Sequence, residues 1–115
     1  MKINILGAEY IVNYRTNEED EKLEDRAGYI DKTSKSIVIL KLNDKNSDLD
    51  NKDSYMKKVL RHEIIHGFLF ESGLGECING PEYSSTHDEQ MVDWFAIQAP
   101  KIFKTFKEAD CFWNV

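Results

Sequence analysis

Cysteine is scarce in this chain. Cys77 and Cys111 stand far apart and outside any C-x-x-C pattern, which argues against a disulfide framework and leaves two free thiols as the expectation. No apolar run approaches the roughly 20 residues that span a bilayer. The opening MKINILGAEYIVNY is too short in apolar character for a signal peptide and lacks a small-residue cleavage site, so the cytoplasm is the expected compartment. Positive charge is also in deficit, 15 Lys and Arg against 21 Asp and Glu for a net charge of -6. That balance argues against nucleic acid as a partner. Histidine is scarce too, with three in 115 residues.

What remains is an ordinary globular composition, 41% apolar and 31% charged, of a length that suits one domain over residues 1–115. Residues 2–6 alternate apolar and polar, Gly7-Ala8-Glu9 reads as a turn, and residues 10–14 resume β-branched and aromatic character, so a hairpin is expected. The acidic stretch 17–26 reads as a solvated loop or a short exposed helix. A second hairpin is expected from 27–31 and 36–40 around the polar turn 32–35. Its arm Ile37-Val38-Ile39-Leu40, apolar on both faces, belongs inside the sheet. Residues 43–53 form an Asn/Asp-rich loop that lacks the Gly and terminal Glu of an EF-hand.

A helix is expected from Tyr55 to Ser72, capped by Asp53 or Ser54 and ended by Gly73 or Gly75. Ser85 or Thr86 would cap a second helix through Met91, Val92, Phe95 and Ala96. Pro100 would open a third, carrying Ile102, Phe103 and Phe106.

The first of these helices contains His62-Glu63-Ile64-Ile65-His66, an H-E-x-x-H motif that uses two of the three histidines. Residues four apart share a helix face, so both imidazoles can bind one zinc ion, with Glu63 beside them as general base on a zinc-bound water. Two His and a Glu buried in an apolar helix without partners would cost stability; a metal gives all three something to bind.

A catalytic zinc site usually has three protein ligands. A third ligand six residues after the second His, preceded by a Gly, is excluded here, because Ser72 and Leu69 hold those positions. The alternative is a carboxylate on a later helix. Glu89 and Asp93 lie four apart, so Glu89 could bind the metal while Asp93 accepts a hydrogen bond from a ligating His. Glu89 also fits a capping box with Thr86. His87 is the rival ligand, and His87 or Tyr83 could instead serve a developing oxyanion.

The pairing of HEIIHGFLFESGL with DEQMVDWFAIQAPKIF resembles the zinc-peptidase-like proteins of the ImmA/IrrE type, particularly small phage-encoded members. That family follows H-E-x-x-H with a helix bearing E-x-x-A-N-x-F-A, matched here by Glu89, Val92, Asp93, Phe95 and Ala96, with Val and Asp replacing Ala and Asn. Asp93 restores the E-x-x-x-D form of thermolysin-like zincins. The likeness covers roughly residues 27–105 and implies an α+β minimal zincin, a small antiparallel sheet against the H-E-x-x-H helix and a Glu-bearing helix. It implies His62, His66 and Glu89 as zinc ligands and Glu63 as base. Family members cleave repressor proteins of mobile elements, so the resemblance implies a protein or peptide substrate of the repressor-type regulator class as partner.

The expected activity is peptide-bond hydrolysis by a zinc metallopeptidase. The alternative is a zinc-binding regulatory module that docks a protein without cleaving it. A structural zinc clip fits poorly, since such sites are closed by four ligands and rich in Cys.

Overall fold

The computed structural model describes residues 1–73 and 85–113, the side chains at positions 85–90, 92, 93 and 96 excepted. Strands β1 (Lys2–Ile5) and β2 (Ala8–Arg15) form the first hairpin, with Ile3 opposite Tyr10 and Ile5 opposite Ala8. Alternation sends Ile3, Ile5, Tyr10 and Val12 into the core. The turn lies at Leu6-Gly7, one position earlier than Gly7-Ala8-Glu9, because Ala8 and Glu9 already pair with β1. Leu6 and Gly7 both have positive φ, 50° and 93°, as a type I′ turn requires. Asn4 Oδ1 accepts from the Gly7 N–H at 2.8 Å and holds it closed.

The acidic stretch contains a 3-10 turn, Glu21–Leu23, capped by the Asp20 side chain. It is not fully solvated as expected, because Leu23 is buried. Strands β3 (Gly28–Asp31) and β4 (Ser36–Leu40) form the second hairpin. Asp31 accepts from the backbone N–H groups of Thr33 and Ser34 in its turn.

The sheet order is β1-β2-β4-β3. β4 lies in the interior, as its apolar run implied, and Ile37, Val38 and Ile39 are all buried. The sheet is mixed, however, and not antiparallel throughout: β2 and β4 run parallel, with Val12 opposite Ile37 and Tyr14 opposite Ile39. The chain leaves β2, lays β3 at the far edge and returns between them, so β4 re-enters in the direction of β2. Tight hairpins fix antiparallel neighbours locally; the β2–β4 pair has no such local signal.

Helix α1 (Lys52–Glu71) begins earlier than Tyr55, and its cap is Asn51, not Asp53 or Ser54. Asn51 Oδ1 accepts from the Ser54 N–H at 3.0 Å, which satisfies one of the orphan donors of the first turn. Asp53 sits inside that turn, where its charge suits the helix N-terminus. Ser72 and Gly73 close the other end, Gly73 at φ 80°. The buried stripe of α1 is Leu60, Glu63, Ile64, Gly67 and Phe68.

Helix α2 (Ser85–Glu108) is continuous, with Pro100 inside it, where two helices were expected. Proline removes one N–H and crowds the preceding turn. Packing on both sides holds the helix together: Trp94 before it and Ile102 and Phe106 after it all join the core of α1 and the sheet. No helix among the described residues is long and apolar enough to cross a membrane. Cys111 is buried as a free thiol, its thiol pushed up to about 11 by that burial; Cys77 lies outside the described residues.

Candidate metal centre

The periodicity of α1 sets the site. Glu63 falls on the buried stripe, while His62 and His66 flank it and reach solvent. Their Nε2 atoms face one another at 3.1 Å, with ring centroids 4.8 Å apart and the planes at 73°. Two nitrogens bound tetrahedrally to zinc at 2.0–2.1 Å stand about 3.3 Å apart. The pair is therefore spaced to take a tetrahedral ion with little rearrangement. Ligand atoms of His62, Glu63 and His66 all lie within 4.8 Å of one another.

Glu63 is 6% exposed. Burial pushes its carboxyl above the usual carboxylate range, against the opposing pull of His62, His66 and Arg26. Among the described residues no side chain shares a hydrogen bond with it. A cavity of about 290 Å³ opens beside Glu63 and His62, walled by Ala27, Gly28, Tyr55, Lys58 and Val59.

Gly67 lets α1 sit this close to the sheet. A Cβ there would lie 2.7 Å from Ile5 Cδ1 and 3.3 Å from Ile30 Cδ1. Gly28 does the same on β3, where a Cβ would meet Val59 Cγ1 at 2.9 Å and the Val38 carbonyl at 3.0 Å. Together they bring the first residues of β3 alongside the Glu63 turn.

Of the residues expected in the site, His62, Glu63 and His66 come together as the spacing implied. Tyr83 lies outside the described residues, as do the side chains of His87, Glu89 and Asp93. Positions 87, 89 and 93 belong to α2, whose Trp94 Nε1 donates to Ser72 Oγ at 3.2 Å, just past the end of α1.

Reasoning from sequence missed Arg26, whose positive charge acts on Glu63, and Gly28. Both come from β3 and its approach, with no sequence signal linking them to α1. Tyr55, Lys58 and Val59 were within reach of sequence reasoning, since they precede His62 and Glu63 by one or two turns on the same face.

No protein-family model, curated protein or solved structure matches this chain. The functional reading rests on the geometry above and on the motifs.

Proposed function

We propose that the chain is a minimal zincin-like, zinc-dependent metallopeptidase that hydrolyses peptide bonds of an extended protein or peptide segment. The observation that carries this is the 3.1 Å approach of two histidine Nε2 atoms with a buried glutamate beside them that has no hydrogen-bond partner among the described residues. A structural site has no use for that third group; a hydrolase needs it as a base. His62 and His66 would hold the ion. Glu89 on α2 is the proposed third ligand, with Asp93 as acceptor for a ligating imidazole, and the Trp94–Ser72 hydrogen bond supports a donor from this helix.

A zinc ion held there supplies Lewis acidity for the scissile carbonyl and acidifies water. Glu63 then takes a proton from the attacking water and passes it to the leaving amine nitrogen.

The substrate strand would add to the outer edge of β3. Ala27 O accepts from the Leu40 N–H at 2.9 Å, which makes that pair a hydrogen-bonded one. Alternation then turns the peptide groups of Gly28 and Ile30 outward. No described strand pairs with that edge, and strand addition there gives backbone affinity with tolerance of sequence.

Elemental analysis of purified wild type and Glu89→Ala, with cleavage of a peptide mixture followed by mass spectrometry, tests the reading. One zinc per wild-type chain, weakened in Glu89→Ala, and turnover abolished in a zinc-retaining Glu63→Gln are the expected results. Zinc bound without cleavage of any peptide or protein would favour a regulatory zinc module. Failure of wild type to bind added zinc would overturn both.

A further inference from the structure

The outer edge of β3 carries three cations, Lys22, Arg26 and Lys32, against two carboxylates, Asp25 and Asp31, a local positive surplus in a chain whose overall charge is -6. A groove of about 570 Å³ wraps this edge, from Lys22 and Arg26 at one end to Lys32 at the other, with Ile30 and Phe70 as apolar floor. The Phe70 ring stacks on the His66 ring, centroids 6.3 Å apart, so the groove leads directly to the histidine pair. At its other end Arg26 adjoins Ala27 and Gly28, which wall the cavity beside Glu63.

Two of the three cations, Lys22 and Lys32, rest against aromatic rings. Lys22 Nζ lies 5.3 Å from the centroid of the Tyr29 ring, and Lys32 Nζ lies 5.1 Å from that of Phe70. Such contacts keep the stems against the groove walls while the charged heads stay in water. Among the described residues none of Lys22, Arg26 and Lys32 enters an ion pair, although five other basic residues do. The groove also contains Asp25 and Asp31. Asp31 accepts from Thr33 N, Thr33 Oγ1 and Ser34 N in its own turn and keeps its charge, which Lys22 partly offsets, so three cations face two carboxylates in the lining.

From this arrangement we infer that the substrate is an acidic extended segment, recognised along the outer edge of β3 by Arg26, Lys22 and Lys32. The inference rests on the peptidase reading for its strand geometry and adds the chemistry of the substrate. On a strand, alternate side chains share a face. Carboxylates at alternate positions would therefore meet the cations, while backbone groups meet Gly28 and Ile30. A polynucleotide also carries regular negative charge, but it offers no backbone N–H and C=O row for a strand edge to pair with.

The test uses the full chain as zinc-loaded Glu63→Gln, so that binding is read without turnover. Three fluorescent peptides of about ten residues, a length matched to strands, carry Glu, Gln or Lys at alternate positions on an otherwise identical sequence. Fluorescence anisotropy should show the Glu peptide binding about tenfold more tightly than the Gln peptide, with the Lys peptide weakest, since exposed ion pairs each contribute a few-fold. The preference should fade with added salt. Adding Arg26→Glu and Lys32→Glu, both at exposed positions, should invert the order, a gain that loss of folding cannot produce.

Equal binding of the three peptides, or an order unchanged by the charge reversal, overturns the inference. So does displacement of the Glu peptide by a single-stranded oligonucleotide that binds more tightly with the same charge dependence. Cleavage is scored separately with wild-type Glu63. Charge-selective binding with no cleavage sinks the peptidase reading and leaves acidic recognition standing, whereas cleavage indifferent to charge does the reverse.

Discussion

The phenolic oxygen of Tyr10 donates to Glu71 Oε2 at 2.6 Å, joining β2 to the last residue of α1. Lys35, just before β4, contributes its ammonium to the same oxygen. One carboxylate thus ties the helix of His62 and His66 to β2 and to the start of β4, about one turn beyond His66. Lys35 and Tyr10 hold the Glu71 carboxyl below its ordinary value of 4.5.

The sign of the resulting pH effect follows from that direction. Above the ordinary value, folded and unfolded chains are both ionised at Glu71 and its stabilisation is complete. As pH falls, the unfolded chain takes up the proton first, and the contribution is lost as pH passes through the lower folded value. Thermal melts from pH 7 to pH 3 should therefore show wild type losing more stability on acidification than Glu71→Gln. Parallel curves would remove Glu71 from any role in acid stability. Tyr10→Phe, which removes one hydrogen bond to a charged acceptor, should cost about 1.5–3 kcal/mol in urea unfolding at pH 7.

Gly67 sits mid-helix, where alanine would ordinarily stabilise by about 1 kcal/mol. Here the added Cβ would press on Ile5 Cδ1, and Ile5 is fully buried. Gly67→Ala should therefore gain much less than that figure, and Gly67→Val should cost about 1–3 kcal/mol through overpacking. Urea midpoints for the pair decide it. A full alanine gain would mean that the helix–sheet contact is looser than the structure has it.

The hairpins, the interior place of β4 and the H-E-x-x-H helix were legible because local pattern dictates each: period two in β1 and β2, doubly apolar residues in β4, and four-residue spacing in α1. The parallel β2–β4 pairing was not, because nothing near Val12 names Ile37 as its neighbour. The same holds for the site. His62, Glu63 and His66 are fixed by one helix, whereas Arg26 and Gly28 reach Glu63 only through the tertiary approach of β3 to α1. Pro100 misled in a different way, since its local preference for a helix start is overridden by the packing of Trp94 and Ile102 on either side.

That override makes Pro100 a strained choice. It is exposed and lies within a helix that continues through it, so its ring occupies a position that an N–H could use. Pro100→Ala should restore a hydrogen bond to the Ala96 carbonyl and stabilise the chain by about 1–3 kcal/mol. The rise should appear in the urea midpoint without a change in m, because the same surface is buried. A destabilised Pro100→Ala would show that the ring itself contributes to packing around α2.

The histidine pair offers the most direct test of the metal centre. With both Nε2 atoms in place, zinc at a hundredfold excess over its Kd should stabilise the fold by about 2.7 kcal/mol. His62→Ala and His66→Ala each remove a direct ligand. Loss of groups that merely orient ligands typically costs about 10–100-fold in metal affinity, so the loss here should exceed about 100-fold in competition with a chromophoric chelator. Glu63→Gln should keep the thermal shift on adding zinc, since Glu63 is assigned to the proton and not to the ion. If Glu63→Gln loses zinc as severely as His62→Ala, the carboxylate is itself a ligand, and the base must be sought elsewhere.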